Sequence, residues 1–445
     1  MNWKHVSLGE ISVNIQTGPF GSQLHQSDYS EKGTPVVMPK DLISGHISEE
    51  SIARVSDDHV ERLSRHKIEV GDILYSRRGD VGRCAFASET EAGWLCGTGC
   101  LRVTIDSRKA NPKFVFYQLL KADTIGWVEK HAVGSTMLNL NTSILSSVPI
   151  DLPSHDKQNH IVGVLSAYDD LIENNQKQIK LLEEAAQRLY KEWFVDLRFP
   201  GHETTPIVDG VPEGWERMLL SEVTSVLKRG ISPKYSDNGK YSVINQKCIR
   251  SSIMDISESR RQEKEYEPTL NLQDSDTVIC STGTGTLGRV GRVYGDYPNT
   301  TFDSHVTLVR AKENPNYIYH VVKSQQEYLM GMGRGSTNQQ ELYRDVIERL
   351  VVLCPSQDIL LKADRVLNAI LSPRLFVAEN KEIIQLFRAF AIFRIVFISY
   401  FPYIPLAFRL YSASSAGEEQ VTTRPSLERR RDIDTIYNII KCLCQ

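Results

Sequence analysis

The sequence predicts an α+β fold in which two similar domains are separated by two long helical arms. Residues 1–155 contain short apolar runs broken by glycine turns, with one or two helical stretches, which is typical of an α+β domain. Residues 156–199 carry an apolar repeat without internal proline, which indicates a long helix. The same order of motifs then recurs about 200 residues later, which indicates duplication of a whole domain.

Composition agrees with a multidomain globular protein. The chain has 445 residues, of which 41% are hydrophobic and 24% charged, so two or three domains are expected. The net charge of −3 gives no overall basic character, so any nucleic-acid partner must be held by local basic residues or by an associated subunit. The eight cysteines lack paired metal-binding spacing, and the N-terminus has no apolar signal core. A cytoplasmic protein with reduced thiols is expected.

The first domain reads as a series of strands joined by polar loops. Residues 33–38, 84–87 and 100–105 are predicted strands, and residues 70–76 a turn leading into another. Residues 17–24 and 77–83 are glycine-containing loops. Asn111-Pro112 is predicted to start a helix that continues through Phe114, Tyr117, Leu120 and Trp127.

The first helical arm follows at residues 156–199. Its seam repeats in steps of four and three, and its members are Ile161, Leu165, Tyr168, Ile172, Asn175, Ile179, Leu182, Ala186, Leu189 and Trp193. Such a stripe over more than four heptads favours a coiled coil, although an amphipathic helix packed on a domain core is the alternative. The helix is expected to end at Phe199-Pro200-Gly201.

Residues 200–214 form a proline- and glycine-rich linker, and the second domain, residues 215–354, repeats the first. The matched segments are 3–11 with 215–223, 33–43 with 239–249, 71–76 with 275–280, 82–83 with 288–289, 111–114 with 314–317, 134–136 with 335–337, and 153–156 with 355–358.

A second arm is predicted at residues 355–391, where Asn380 and Ile384 parallel Asn175 and Ile179. The atypical tail, 392–445, is predicted to be disordered.

Two motifs point to enzymes that the rest of the chain does not support. Gly283-Thr-Gly285-Thr-Leu-Gly288-Arg-Val290 matches the glycine-rich loop of protein kinases, but the partner motifs HRD and DFG are missing. We interpret it as a turn between strands. Asn314-Pro315-Asn316-Tyr317 resembles a methyltransferase base-binding motif, but it lacks the second proline and a methyl-donor loop. Methyltransferase activity of this chain is therefore rejected.

Basic and small polar residues recur in the loops of both domains. A single arginine or lysine is ordinarily a solvated surface charge, but beside glycines in matched loops these residues become candidate contacts to phosphates or base edges. The candidates are Lys40, Arg77, Arg78, Arg83, Ser135 and Thr136 in the first domain, and Lys228, Arg229, Lys247, Ser281, Thr282, Arg289, Arg334 and Ser336 in the second.

This organisation resembles the specificity (S, HsdS) subunit of type I restriction–modification enzymes. The motifs that carry the resemblance are Trp3-x4-Leu-Gly-Glu-Ile11, Val70-Gly-Asp-Ile-Leu-Tyr-Ser76, Gly134-Ser-Thr136 before Leu152-Pro153, the arm from Gln158-x2-Ile161 to Trp193-Phe194, and Gly210-Val-Pro-Glu-Gly-Trp215. The resemblance covers residues 1 to about 390, and the chain departs from the family pattern from about Phe387 onward.

The resemblance implies a non-catalytic DNA reader with two target-recognition domains. Each would read one half of a split double-stranded DNA target, and the two arms would pack as an antiparallel coiled coil, bringing Asn175 near Asn380. It also implies docking of two modification (methyltransferase) subunits and of restriction (endonuclease/translocase) subunits. No membrane partner is expected. This chain would bind no cofactor, and other subunits would use S-adenosylmethionine, ATP and Mg²⁺. The alternatives are a coiled-coil adaptor joining two protein-binding domains and an enzyme using the loop at Gly283.

Overall fold

The computed structural model describes residues 3–49, 51–134, 137–250, 252–283, 285–335 and 340–370. The described residues up to Glu173 form one compact unit, and those from Asn174 onward form another. The predicted positions Asn380 and Ile384, most of the second arm and the whole tail lie outside the described residues. Among the described residues, no helix is both long and apolar enough to span a bilayer.

The first unit is built from short strands and short helices, as predicted. Its strands are β1 (Lys4–Ser7), β2 (Ser12–Thr17), β3 (Tyr29–Ser30), β4 (Thr34–Val37), β5 (Leu42–Ile43), β6 (His46–Ile47), β7 (Ala53–Val55), β8 (Ile73–Ser76), β9 (Cys84–Phe86), β10 (Leu95–Cys96), β11 (Cys100–Ile105) and β12 (Pro149–Leu152). Its helices are α1 (Leu8–Ile11), α2 (Asp57–Arg62), α3 (Pro112–Leu119), α4 (Ala122–His131), α5 (Thr142–Ser146) and the first half of α6 (His155–Tyr190).

Two four-stranded sheets make up most of this unit. One has the order β2-β11-β8-β9 and is antiparallel, and the other has the order β10-β4-β7-β3. Strand β10 runs parallel to β4 and then turns through residues 97–99 into β11. That turn carries the chain from one sheet to the other, and it brings the loops of both sheets together at one end.

The aspartate of the repeated turn motif has a structural role. Asp72 is 1% exposed, and its carboxylate accepts hydrogen bonds from Glu69 N at 2.8 Å and Thr104 Oγ1 at 2.5 Å. Arg102 lies 3.7 Å from the same carboxylate. Burial raises the pKa of Asp72, although these donors oppose the shift. The motif is therefore explained by a buried carboxylate that fixes the turn before β8.

The helical part of the first domain differs from the prediction in one respect. The predicted single helix from Asn111 is two helices, α3 and α4, because the chain turns at Leu120 and Lys121. The Asn111 side chain caps α3 by accepting hydrogen bonds from Lys113 N at 3.0 Å and Phe114 N at 3.2 Å. The break lets α3 bury its side chains in the core while α4 runs along its surface.

Four seam residues of α6 pack into the core of the first domain. They are Ile161, Leu165, Tyr168 and Ile172, and their cluster includes α3 and the strands β8 and β11. On the same face, Tyr117 donates a 2.5 Å hydrogen bond to Asp169. The stripe in this half of the helix is therefore used for packing on a domain, which was the alternative to a coiled coil.

Gln158 joins α6 to the start of α3. It is 1% exposed, accepts a 2.8 Å hydrogen bond from Asn111 N and donates a 2.9 Å hydrogen bond to Pro153 O. We expect Gln158→Leu to lower the free energy of unfolding by about 1–3 kcal/mol, because two buried backbone groups lose their partner. Asn159→Ala is the matched control, since its bond to Asn111 is exposed. Equal losses in urea unfolding would contradict this.

A buried imidazole should make the first domain sensitive to acid. His66 is 2% exposed, and burial, helped by Arg65 and Arg102, lowers its pKa to about 4. The unfolded chain takes up this proton near pH 6.5 and the folded chain near pH 4, so stability falls as the pH drops between these values. Melts at about pH 7 and pH 5 should differ less for His66→Phe than for wild type or the exposed-site control His25→Gln. The same drop in all three would refute it.

The second unit repeats this architecture. Its strands are β13 (Ile207–Val208), β14 (Val211–Pro212), β15 (Glu216–Leu219), β16 (Thr224–Arg229), β17 (Tyr241–Ile244), β18 (Arg260–Gln262), β19 (Thr277–Cys280), β20 (Val290–Arg292), β21 (Thr300–Phe302), β22 (Val306–Ala311) and β23 (Val351–Cys354). Its helices are α7 (Leu220–Val223), α8 (Pro315–Ser324), α9 (Gln326–Gly331), α10 (Arg344–Glu348), a helix at 357–370 and the second half of α6.

The strand order confirms that the two domains are similar. The sheet β16-β22-β19-β20 matches β2-β11-β8-β9, and β18-β17-β21 matches β7-β4-β10. Asp276 is the counterpart of Asp72, and Arg310 binds its carboxylate through two 2.7 Å hydrogen bonds. Asp276 is 1% exposed. The glycine-rich loop after β19 leads into strand β20, so its interpretation as a turn between strands is confirmed.

The second half of α6 belongs to the second unit. Asn175, Ile179, Leu182, Leu189 and Trp193 are half-buried there. Ala186 is buried and clusters with Leu367 of the helix at 357–370, and Leu189 and Ile370 flank this pair. The two arms thus touch at this cluster, while the coiled-coil register remains a prediction.

The end of α6 differs from the prediction. The α-helix ends at Tyr190, a π-turn follows at Lys191–Val195, and Leu197 adopts a left-handed backbone with φ of 57°. An aromatic cluster explains the early end. The Phe194 ring lies 4.6 Å from Tyr317 and 6.1 Å from Trp215, measured between centroids. Widening the last turn directs Phe194 into the core of the second domain.

Each domain also buries a pair of cysteines near the end of its sheets, besides the buried Cys84 in β9 of the first domain. The pairs are Cys96 and Cys100 in the first domain, and Cys248 and Cys280 in the second, and all four are free thiols. Burial raises the pKa of Cys96 to about 12, of Cys248 to about 11 and of Cys280 to about 12. These thiols are packing residues of the interior.

Candidate functional site

Five loops meet at one end of the first domain. This surface, the first edge, comprises residues 17–20, 37–40, 76–79, 97–100 and 138–140. The backbone hydrogen bonds that join the loops are Gly18 N to Cys100 O at 2.9 Å, Arg77 N to Gly99 O at 2.9 Å, Leu140 N to Arg77 O at 2.8 Å, and Gly97 N to Val37 O at 2.9 Å. The backbones of the loops are thus fixed to one another.

The second domain has a matching surface. This second edge comprises residues 229–236, 244–247, 280–283, 303–306 and 341–342. The equivalent hydrogen bonds are Gly230 N to Val306 O at 3.0 Å, Ser281 N to His305 O at 2.8 Å, Leu342 N to Ser281 O at 2.8 Å, and Asp303 N to Ile244 O at 2.9 Å. Each bond of the first edge has a counterpart, so both domains present the same loop scaffold with different side chains.

The first edge and the turn that follows it, residues 80–83, carry several of the predicted residues. Arg77 is half-buried, and Arg78 is exposed and bridges to Asn139. Lys40 donates a 2.8 Å hydrogen bond to Ser51 O, and Arg83 donates one of 2.6 Å to Asp80. The predicted residues Ser135 and Thr136 lie outside the described residues.

At the second edge, the predicted side chains are bonded to neighbouring groups of the same domain. Arg229 donates a 2.5 Å hydrogen bond to Ser304 O and forms an ion pair with Glu341. The hydroxyl of Thr282 lies 2.5 Å from His305 Nδ1. Ser281 is fully buried and bonds Thr307 at 2.5 Å, so this hydroxyl positions the loop from inside.

The other predicted residues of the second domain are more dispersed. Lys247 is exposed on a short 3-10 turn, Gln246–Cys248, in the position that corresponds to Lys40. Lys228 is exposed and forms a 2.8 Å ion pair with Glu267. Arg289 is half-buried, and its carbonyl accepts a bond from Cys280 N, as that of Arg83 does from Ser76 N. Arg334 is exposed and lies 5.5 Å from the Tyr343 ring. Ser336 lies outside the described residues.

Charge is distributed differently over the two edges. Arg77 and Arg78 stand in the loop where the second domain has Ser281 and Thr282. At the second edge the carboxylates of Glu341 and Asp303 face the basic residues, and burial raises the pKa of Asp303 while His305 and Arg229 oppose that shift. The first edge is therefore the more cationic of the two.

Sequence reasoning missed several side chains at the edges. They are Phe20 at the first edge, Tyr235, Asn245, His305 and Glu341 at the second, and Arg260 beside the second edge, over the Tyr235 ring. A proline and two glycines around Phe20 were a usable signal, since they mark a rigid loop with an exposed tip. Within the described ranges, no group of histidine, cysteine, aspartate and glutamate side chains could hold a metal ion.

The sequence is similar to a known protein family. The profile described as the type I restriction modification DNA specificity domain matches residues 1–184 and 212–362. The chain is 30% identical over 235 residues to the type I restriction enzyme MjaIX specificity subunit of Methanocaldococcus jannaschii, covering 49% of this chain and 53% of that protein. It is 27% identical over 199 residues to the HindI specificity subunit of Haemophilus influenzae, covering 44% and 41%.

A solved structure agrees at the level of the fold. The S subunit of a type I restriction–modification system from M. genitalium has a TM-score of 0.53 and 16% identity, and the match covers 88% of this chain and 96% of that one. The chain spans about half the length of the curated relatives it matches. Because the family profile matches both domains and most of the chain, the protein belongs to the type I restriction–modification specificity family.

Proposed function

We propose that this chain is the DNA-reading subunit of a type I restriction–modification complex and that it reads a bipartite double-stranded target. The observation that carries the proposal is the pair of edges with equivalent backbone hydrogen bonds and different side chains. A shared scaffold with divergent side chains is what two readers of different sequences require. Each edge would contact one half-site, and the helical arms would set the distance between the half-sites.

The roles of individual residues follow from their exposure and partners. Arg77, Arg78 and Arg83 would contact the first half-site, and Arg78 and Arg83 are exposed, although Arg83 is paired with Asp80. At the second edge, Thr282 and Arg289 would reach DNA directly. Arg229 would have to exchange its partner Glu341 for DNA, so its contribution to affinity should be smaller than that of a free arginine.

The remaining functions are proposed for partner proteins. The relatives are specificity subunits, and we propose that this chain, like them, is a non-catalytic component. We place S-adenosylmethionine, ATP and Mg²⁺ on the modification and restriction subunits that this chain would dock in the cytoplasm, with two modification subunits for each copy. The described half-buried and exposed apolar side chains of α6, such as Leu171 and Leu181, offer a surface for such docking.

The proposal is tested by expressing the full chain with a modification subunit that it binds and mapping methylated bases across the host genome. We expect one motif made of two specific parts with a fixed unspecified spacer. Exchange of residues 215–354 for the second domain of another family member should change only one part. Binding of the modification subunit without any sequence-specific methylation would instead support the adaptor alternative, and methylation at a continuous motif would refute bipartite reading.

A further inference from the structure

Each edge carries an aromatic ring with an arginine guanidinium over its face. At the first edge, the Arg77 guanidinium carbon lies 6.0 Å from the centroid of the Phe20 ring. Phe20 is 53% exposed at the tip of its loop, although it is a large apolar residue. Within the described residues, the Nε atom of Arg77 is buried and has no hydrogen-bond partner. The pair is therefore accessible and incompletely bonded.

The loop beneath Phe20 is rigid. The Phe20 carbonyl accepts hydrogen bonds from Gln23 N at 2.8 Å and Leu24 N at 3.3 Å, and Phe20 N donates one of 3.1 Å to the Gln23 side chain. Gly18 packs so closely on the carbonyl of Gly97 that a side chain would not fit between them. The loop backbone that carries the ring consequently has a fixed position relative to β8, the strand that ends just before Arg77.

The second edge has an equivalent pair built from other positions. The Arg260 guanidinium carbon lies 3.5 Å from the centroid of the Tyr235 ring, and Tyr235 is 40% exposed. Burial raises the pKa of the Tyr235 hydroxyl, Asp303 raises it further, and Arg260 and Asn245 lower it. These neighbours place the pair at the second edge. Arg260 is exposed in β18, opposite Val243 and next to the end of β17.

The two pairs do not occupy equivalent positions. Arg260 lies opposite Val243, and the residue at the equivalent position of the first domain, opposite Val36, is Ala53. The residue of the second domain that is equivalent to Arg77 is Ser281. The duplication therefore did not supply both arginines. In each domain a different position carries the arginine that lies over an aromatic ring. Both pairs lie at the surface that we propose to contact DNA.

Cation–π attraction holds a guanidinium over a ring face and restricts its orientation, while the N–H groups that the ring does not bond can point outward. A guanidinium held in this way loses little rotamer freedom when it binds DNA. Its two parallel N–H donors match the O6 and N7 acceptors of guanine in the major groove. Lysine has no planar fork and cannot substitute for it.

We propose that Arg77 and Arg260 each read a guanine, one in each half-site, and that Phe20 and Tyr235 are positioning residues that hold these arginines in plane. This inference rests on the proposed DNA-reading function. It predicts a guanine in each half of the motif, at different distances from the spacer, because the two arginines lie at non-equivalent places in their domains.

The test uses the full chain with its modification subunit and genome-wide mapping of methylated sites. Arg77→Lys and Phe20→Leu should relax one guanine of the first half-site, lowering the preference for guanine over other bases by about tenfold. Arg260→Lys and Tyr235→Leu should do the same to one guanine of the second half-site. In every variant the other half-site should be unchanged, which reports correct folding and assembly.

Matched controls lie at the far ends of the same strands. Val70→Ala removes an exposed apolar side chain before β8, and Lys240→Gln removes a cation that lies 5.1 Å from the Tyr241 ring before β17. Both should leave the motif unchanged. If Phe20→Leu abolishes methylation, Phe20→Tyr decides the matter, because it keeps the ring and must restore the wild-type motif.

The outcomes separate this inference from the proposed function. A wild-type complex that methylates no split motif refutes the proposed function, and the inference with it. A split motif without guanine in either half, or one that stays unchanged in Arg77→Lys and Arg260→Lys, refutes the inference alone. A uniform loss of methylation across all sequences in these variants also refutes it, since that result marks phosphate contacts.

Discussion

Gly18→Ala is expected to abolish reading of the first half-site, and Gly230→Ala reading of the second. A β-carbon at Gly18 would overlap the carbonyl oxygen of Gly97, and one at Gly230 would overlap the carbonyl oxygens of Phe302 and Asp303. These oxygens belong to backbone that cannot move aside without breaking the hydrogen bonds of the edge. We expect a cost at the upper end of about 1–3 kcal/mol and a fall in methylation of about tenfold or more.

The chain provides a control for this prediction in each domain. A β-carbon at Gly21 or at Gly331 would meet no neighbouring atom within 4 Å, and neither glycine has a left-handed backbone. Gly21→Ala and Gly331→Ala should therefore methylate at close to the wild-type level. If Gly18→Ala and Gly21→Ala lose methylation equally, the close packing at the edge is not what supports DNA reading.

The second large effect concerns the aromatic cluster at the end of α6. Phe194 is 5% exposed and contacts Trp215 and Tyr317 in the core of the second domain. Phe194→Ala should lower the free energy of unfolding of this domain by about 3–5 kcal/mol, because a large ring is removed and its cavity persists. Urea unfolding monitored by tryptophan fluorescence measures the loss.

Val195→Ala is the control for this change, since Val195 is 56% exposed at the next position. It should have an effect below about 0.5 kcal/mol. A comparable loss in both variants would mean that the π-turn itself, rather than the buried ring, stabilises the end of α6.

The duplication was predictable because its motifs are backbone requirements. Asp72 and Asp276 are buried carboxylates that hold a turn, and a proline begins a helix at Pro112 and again at Pro315, so each motif recurs where the same turn or helix start is needed. Such requirements are local in sequence and can be read from it. The strand order of the second domain follows from the first once the motifs are matched.

The use of the apolar stripe in α6 was harder to predict. Ile161 and Ile172 pack on a domain core, whereas Ala186 packs on the helix at 357–370. A helix needs the same stripe for either surface, so periodicity alone does not distinguish them. The break after α3 was also missed, because Leu120 and Lys121 are good helix formers, and tertiary packing determines where the chain turns.

The edge residues were predicted by type but not by arrangement. Arginines beside glycines were identified, but the partner of Arg77 is Phe20 and that of Arg229 is Glu341, each distant in sequence. Only the folded sheet brings these residues together. The same reason explains why Tyr235 and Arg260 were not recognised as a pair.

The buried thiols can be used to measure local unfolding of each domain separately. Cys96 and Cys100 are inaccessible behind the first edge, and Cys248 and Cys280 behind the second, and their raised pKa values keep them protonated. An alkylating reagent reaches such a thiol only when the surrounding structure opens. Labelling rates, resolved by mass spectrometry of the peptides that hold each pair, would therefore give the opening equilibrium of each domain within the assembled complex. DNA carrying only one half-site should slow labelling in one domain and leave the other unchanged.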